Sequence, residues 1–344
     1  MRTRILIVDD SALTQRMLAD MLSSEPSFEV VGYAVDGEEA VAATRHLKPD
    51  VITLDVEMPR RDGLSALHEI MRETPTPVIM VSSLTKQGAE ATLSALEAGA
   101  LDFVTKPSDG SFAVLAQVKD ELILKVKSAR SARLFPRSVA PKPIPKVSAT
   151  SDKVVLVASS TGGPRALHIM WQALPVGFPA PILIVQHMPA GFTDNLAKRM
   201  DRIGTVPIRE AKAGDRIRPG EALVAPGGMH MRVGKAGTLE FDQEPPLHGV
   251  RPAADYLFES AAKVFGNRCV AVVLTGMGRD GAQGALEIRR VGGQVFGESE
   301  TTATIYGMPR AAKENGAVQA ELPIHDMGAA VTNAVTAGKV ARAS

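Results

Sequence analysis

The chain has 344 residues, of which 45% are hydrophobic and 22% charged, and its formal net charge is +1 at pH 7. That length predicts two domains, the apolar fraction excludes wholesale disorder, and near-neutrality excludes affinity built on a strong overall basic field. The single cysteine, Cys269, excludes an internal disulfide and a cysteine-rich zinc site, and no apolar run approaches the roughly 20 residues of a membrane span.

The chain opens Met1-Arg2-Thr3-Arg4 and then has only Ile5-Leu6-Ile7-Val8 before two aspartates, too short for a signal-peptide core. A cytoplasmic protein without membrane insertion is expected. In chain order, residues 4–8 read as a strand and 11–24 as a helix, with Leu13, Met17, Leu18, Met21 and Leu22 at helical spacing. Strands follow at 30–34, 51–54, 78–81 and 102–104, and helices at 37–47, 64–73, 89–98 and 114–131. Five strands alternating with five helices predict a parallel sheet covered on both faces. Residues 126–150 differ in character. They carry Pro136, Pro141, Pro143 and Pro145, and no acidic residue occurs between Glu121 and Asp152. This stretch reads as a solvated connection between domains 1–125 and 151–344, with a regulatory docking segment as the alternative.

From residue 154 the alternation resumes, with buried strands at 154–157, 182–186, 222–225 and 270–274. Residues 229–233 and 238–242, joined through 234–237, read as a hairpin beside that sheet. Helices start near Gly163, Thr193, Ala253 and Gly281. The expected fold is therefore α/β, two doubly wound parallel-sheet domains, with no close repeat between the halves.

Ligands of such sheets sit at the carboxyl ends of the strands. Asp9 and Asp10 follow the first strand and Asp55 ends the third, so three carboxylates converge and repel unless a cation joins them. Mg²⁺ suits an oxygen site of this kind. Lys106 follows the fifth strand and Ser82 ends the fourth, offering a cation and a hydroxyl to a phosphoryl group. The implied chemistry is attack by a carboxylate on a phosphoryl donor. Taken singly, each acid reads equally as a helix cap. Together, with the stretches ILIVDDSA, DVITLDVEMPRRDG, VIMVSS and AGALDFVTKP, they resemble flavodoxin-like response-regulator receiver domains. The resemblance implies that Asp55 is the phosphoacceptor and that Asp9, Asp10, Asp55 and the Glu57 carbonyl hold Mg²⁺. It also implies that Ser82, Phe103 and Lys106 sense the phosphoryl group.

The second half offers three further strand ends. Ser159-Ser160-Thr161-Gly162-Gly163 passes from strand to helix and suits a phosphate or an oxyanion, though it lacks both the GxGxxG spacing and a Walker lysine. His187 leaves a very apolar strand, where a structural histidine is the alternative. Asp280 lies in the glycine-bracketed Thr275-Gly276-Met277-Gly278-Arg279-Asp280-Gly281, where a helix N-cap is the alternative. Serine, histidine and aspartate at three ends of one sheet make a hydrolytic triad by role. The order Ser…His…Asp and the missing GxSxG elbow exclude a standard α/β-hydrolase.

The stretches SSTGGPRAL, IVQHMPAGFT, APGGMHM, RPAADYLFES, VVLTGMGRDGA and YGMPRAA resemble the catalytic domain of chemotaxis protein-glutamate methylesterases, the CheB family. The resemblance implies a larger, Rossmann-like second domain with Ser160 as nucleophile, His187 as base and Asp280 as its orienter. Thr161 and Met277 would line the oxyanion. One departure is Ser159, where the family usually has alanine. His230 and His248 are expected to be structural, and Arg165, Arg251 and Arg310 solvated. The implied reaction is hydrolysis of γ-glutamyl methyl esters on chemoreceptors, and deamidation of receptor glutamines, without a metal at the catalytic site. The implied partners are those receptors and the histidine kinase CheA as phosphodonor, with no nucleic acid and a monomeric chain. A receiver on such a tether can cover the catalytic face until Asp55 is phosphorylated. The alternative is a receiver controlling a non-catalytic binding module or a pathway other than chemotaxis; a DNA-binding output would need a compact recognition helix that the second half does not suggest.

Overall fold

Runs of valine, isoleucine and leucine become the central strands of the computed structural model, which describes residues 2–83, 85–106, 112–130, 132 and 150–337. The chain divides into two units, residues 1–134 and 135–344. In the first, β1 (Thr3–Val8), β3 (Val51–Asp55) and β4 (Val78–Ser82) are almost wholly buried, as strands covered on both faces must be. With β2 (Phe28–Ala34) and β5 (Asp102–Thr105) they form a parallel sheet of order β2-β1-β3-β4-β5. The helices are α1 (Ala12–Ser23), α2 (Gly37–Leu47), α3 (Gly63–Glu73), α4 (Lys86–Ala98) and α5 (Phe112–Ala129). Four of them start where the sequence provides a cap: Ser11, Asp36, Asp62 and Thr85 each accept a main-chain N–H two or three residues on. The chain leaves β1 toward β2 on one side and returns to β3 on the other, so the crevice of the sheet opens between β1 and β3. Asp9 and Asp55 stand at that edge.

The second unit is built around β6 (Val154–Ser159), β7 (Ile182–Gln186) and β12 (Cys269–Val273), all fully buried. Around them lie β8 (Ile208–Glu210), β9 (Ala222–Val224), β13 (Gln294–Glu298) and β14 (Ala320–Leu322), in the parallel order β14-β13-β12-β6-β7-β9-β8. The hairpin β10 (His230–Val233) and β11 (Leu239–Asp242) forms its own two-stranded antiparallel sheet. The helices are α6 (Gly163–Gln172), α7 (Phe192–Ile203), α8 (Ala254–Phe265), α9 (Ala282–Arg290), α10 (Met308–Glu314) and α11 (Ile324–Thr336). Here the reversal of strand order falls between β6 and β12, which fixes where a ligand crevice opens.

Three strands of this sheet, β8, β13 and β14, and the helices α10 and α11 extend the architecture beyond the predicted elements. Cys269 is fully buried, and burial pushes its thiol up to about 12, so it acts as a small apolar residue. Of residues 126–150, α5 includes 126–129, while 131 and 133–149, with the four prolines, lie outside the described residues. Among the described residues no helix is long and apolar enough to cross a membrane.

Candidate active site

Strand β6 ends in two serines that the fold treats differently. Ser159 is fully buried, and its Oγ donates to Gln186 Oε1 at the end of β7 (2.7 Å). Ser160 is half-buried and heads the turn into α6. Its amide donates to the Thr275 carbonyl (3.0 Å), and its carbonyl accepts from Gly163 N (2.7 Å) and Gln186 Nε2 (3.0 Å). The turn depends on glycine. Gly162 sits at φ +77°, and a Cβ on Gly163 would stand 2.1 Å from Gln186 Oε1. With Gly162 as cap, no side chain covers the α6 amides. Thr161, buried, gives its carbonyl to the Thr275 hydroxyl (2.9 Å), and Met277 is half-buried on the adjoining loop after β12.

His187 follows β7, and its amide donates to the Ser159 carbonyl (3.0 Å). Its Nε2 lies 2.7 Å from Asp280 Oδ2, which leaves Nδ1 as the nitrogen able to act as base. Asp280 is 2% exposed, and both carboxyl oxygens are also held by main-chain amides: Ala254 N to Oδ2 (2.6 Å) and Asp255 N to Oδ1 (3.1 Å). Burial opposes its charge, but the hydrogen bond and charge of His187 and the two amides outweigh it and hold the carboxyl below its ordinary range. A carboxylate kept ionised against an imidazole favours the imidazolium. The expected chain of two hydrogen bonds is thus half made: histidine and aspartate are joined, while among the described residues Ser160 Oγ makes no hydrogen bond to the imidazole. Such bonds commonly tighten only with substrate bound.

The other candidates divide. His230 is fully buried; its Nδ1 accepts from Ala253 N (3.1 Å) and its Nε2 faces the Pro245 carbonyl (3.3 Å), a satisfied structural histidine. His248 is tied closer to the chemistry than expected. Its Nε2 lies 3.1 Å from Asp255 Oδ2, and Asp255 adjoins Asp280. Burial and the Asp280 charge push the Asp255 carboxyl up. Arg165 and Arg251 are half-buried rather than solvated; burial lowers the Arg165 guanidinium, and Arg251 Nη1 bonds the Gln243 and Glu244 carbonyls (3.0 Å each). Arg310 is exposed over the Tyr306 ring.

In the first unit, Lys106 Nζ lies 2.7 Å from Asp55 Oδ2 and 2.9 Å from Asp9 Oδ2. Burial and the Asp9 charge outweigh the Lys106 ammonium and leave the Asp55 carboxyl above its ordinary range; although burial opposes its own charge, the two acids hold the Lys106 ammonium up. Asp9, Asp10 and Asp55 offer carboxylate oxygens within 4.8 Å of one another. This hard-oxygen set, one cation against three acids, fits Mg²⁺. Asp10, Asp55, Glu57, Ser83 and Lys106 line a cavity of about 470 Å³. A Cβ on Gly63 would stand 1.9 Å from the Asp55 carbonyl, so glycine is what lets α3 close on this edge. Ser82 departs from expectation. It is fully buried, with its hydroxyl donating to the Gly88 carbonyl (3.2 Å) and accepting from Thr92 Oγ1 (2.7 Å), and its neighbour Ser83 lines the cavity instead. The cause is local: Gly88 and Thr92 on the first turns of α4 present the nearer polar partners. Phe103 is buried in β5 with the Lys125 ammonium 5.2 Å from its ring centroid.

Comparison with known proteins supplies the family. Residues 155–331 match the family described as CheB methylesterase, and residues 5–116 match the response regulator receiver domain. A protein-glutamate methylesterase/protein-glutamine glutaminase of Symbiobacterium thermophilum is 46% identical over 97% of this chain and 98% of its own length. The chain belongs to the CheB methylesterase family. A CheB relative of the same description from Thermotoga maritima is 43% identical over 94% of this chain and 95% of its own. The crystal structure of the Thermotoga maritima CheB methylesterase catalytic domain covers 54% of this chain and 99% of its own, with 38% identity and a TM-score of 0.51.

Within this CheB domain, reasoning from the sequence missed the polar supports of the candidate triad. Gln186 is one residue in an apolar strand, yet it bonds Ser159, Ser160 and the His187 carbonyl. Asp255 lies 25 residues from Asp280, and only the start of α8 brings them together. A polar residue inside a strand otherwise buried on both faces was the available clue for Gln186.

Proposed function

We propose that this chain hydrolyses γ-glutamyl methyl esters of chemoreceptors to glutamate and methanol, and deamidates receptor glutamines, with Ser160 as nucleophile. The observation that carries this reading is the His187–Asp280 pair, bonded at 2.7 Å at the carboxyl ends of β7 and β12, on the edge where β6 delivers Ser160. His187 Nδ1 takes the Ser160 proton as Oγ attacks the ester carbonyl carbon. The oxyanion that forms meets main-chain amides of the Thr161 turn and the Met277 loop. The carbonyl re-forms as the methoxy group leaves, taking the proton from the imidazolium, and water then cleaves the serine ester by the same route. For glutamine the leaving group is ammonia. Asp280 stays ionised throughout and steadies the imidazolium. The non-catalytic alternative gives no role to an ionised aspartate fixed on a histidine beside an accessible serine.

The receiver half of the reading makes Asp55 the phosphoacceptor, with a histidine kinase of the CheA type as donor in the cytoplasm. Asp9, Asp10, Asp55 and the Glu57 carbonyl would hold Mg²⁺, which when bound neutralises charge on the incoming phosphoryl group. Lys106 steadies the same charge from the other side, and the connection between the two domains starts after α5, at residue 130 rather than 126. Ser82 must turn its hydroxyl away from Gly88 to take part, with Phe103 on the neighbouring strand β5 opposite Met80. Methanol release from methylated receptor membranes, with and without a small-molecule phosphodonor, tests the whole. Release that the donor raises, and that Ser160→Ala abolishes, is expected; release unchanged in Ser160→Ala would sink the assignment.

A further inference from the structure

Glu298 ends β13, next to β12, whose following loop carries Asp280, and is 1% exposed. Its Oε2 accepts the Thr275 amide (2.8 Å) and its Oε1 the Thr302 hydroxyl (3.1 Å). Thr275 is the joint between three loops. Its carbonyl accepts the Ser160 amide (3.0 Å), its hydroxyl donates to the Thr161 carbonyl (2.9 Å), and that hydroxyl accepts the Ile305 amide (2.9 Å). Gly276, the next residue, lies so close to the nucleophile that a Cβ there would stand 2.8 Å from Ser160 Cβ. One carboxyl group therefore anchors the residue on which the nucleophile's amide rests.

We propose that Glu298 is a positioning residue of the esterase: as a carboxylate it grips the Thr275 amide and fixes the Ser160 turn, and on protonation it loosens that grip. The inference rests on the reading of Ser160 as nucleophile. A charge-assisted hydrogen bond is roughly twice as strong as a neutral one, so loss of the charge weakens the hold on Thr275. The proton also needs an acceptor. Thr302 Oγ1, which already accepts the Ile324 amide (2.9 Å), would have to stop donating to Glu298 and turn. The groups bearing on the carboxyl are the Thr275 amide from the β12 side and the Thr302 hydroxyl from the following loop; Leu322 faces it across the β14 ladder, and α11 contributes only the Ile324 amide to Thr302. No charged side chain is among them. Burial, only partly offset by those two hydrogen bonds, pushes the carboxyl up to about 7. Both forms then exist near neutrality.

The test is methanol release by the full chain from methylated receptor membranes, with kcat and KM followed from about pH 5 to about pH 9 for the wild type and Glu298→Gln. Glutamine keeps the shape and an acceptor for Thr275 but never carries the charge. The wild-type kcat is expected to lose an extra step of about tenfold as pH falls through about 7, where Glu298 takes up its proton. Glu298→Gln should lack that step and, at alkaline pH, show a kcat about tenfold lower with KM unchanged, the scale of one hydrogen bond. Superimposable profiles overturn the proposal. Should the variant fail to fold, Thr302→Val replaces it: loss of the hydroxyl that holds the carboxylate should move the step to higher pH, and an unmoved step overturns the proposal. Ser160→Ala keeps the two readings apart: activity surviving that change removes the nucleophile assignment, whereas superimposable profiles with an inactive Ser160→Ala remove Glu298 alone.

Discussion

Adjacent serines at the end of β6 share a chemistry but not a surrounding. The Ser159 hydroxyl is engaged with Gln186, while the hydrogen bonds of Ser160 run through its main chain and leave the hydroxyl to the crevice. Ser160→Ala removes the proposed attacking atom and keeps the turn, so hydrolysis should fall by roughly 10³-fold or more with the fold intact. Ser159→Ala should instead cost about 1–3 kcal/mol, because Gln186 Oε1 loses its donor in a dry site, while hydrolysis persists. Methanol release and a urea titration on both variants read the difference, and the reverse pattern would make Ser159 the nucleophile. The proposal of Ser160 draws on a feature already visible in the sequence, its place beside Thr161-Gly162-Gly163. The buried roles of Gln186, Asp255 and Glu298 were not legible there, since each depends on partners that only the folded sheet supplies. Ser82 shows the limit from the other side: its place at the end of β4 was foreseen, but a rotamer directed at Gly88 and Thr92 is decided by packing.

At the scale of elements, continuous apolar runs identified the interior strands, since a strand covered on both faces must be apolar throughout. Strands β8 and β14 escaped because Ile208-Arg209-Glu210 and Ala320-Glu321-Leu322 are three residues each, too short for any period to emerge. Strand β13 escaped because Gln294 and Gly297 interrupt it. The unpredicted β13 nevertheless delivers Glu298 to the site. In the proposed reading the strand-to-helix turn from β6 to α6 is the element on which catalysis most depends, and its glycines show why. A methyl group at position 163 would meet Gln186 Oε1 at 2.1 Å and push that side chain off its bonds to Ser159 and Ser160. Gly163→Ala should therefore lower kcat about 10²-fold, since displacements near 1 Å at a nucleophile have that effect. Comparing kcat with the unfolding midpoint separates this from simple destabilisation: a wild-type kcat in the variant would mean that the turn tolerates the shift.

For the whole molecule, each doubly wound unit places its chemistry where its strand order reverses, between β1 and β3 in one and between β6 and β12 in the other. That is why acids and hydroxyls scattered over the sequence could be gathered from strand ends alone. The catalytic unit should also carry a pH signature in its stability. Glu298 has an ordinary value of 4.5 and stands at about 7 in the folded chain. Between those values the folded state holds a proton that the unfolded state has released, so stability falls as pH rises through that window and levels off above it. The penalty approaches about 3 kcal/mol, and Glu298→Gln should remove this slope. Trp171, the only tryptophan and fully buried in α6, reports unfolding of this unit selectively by its fluorescence. Equal slopes for variant and wild type would place the titration elsewhere. Control by phosphate is the remaining property that needs both units. In the proposed reading the phosphoryl group is bonded to an Asp55 oxygen, which lies beside the Lys106 ammonium and lines the cavity. Asp55→Ala removes that oxygen, so methanol release with and without a small-molecule phosphodonor should become equal, whereas the wild type accelerates. The two arms share one preparation, so any change in the basal rate cancels in their ratio. Acceleration persisting in Asp55→Ala would mean that the donor acts at another group, and the receiver pocket would lose its part in the control.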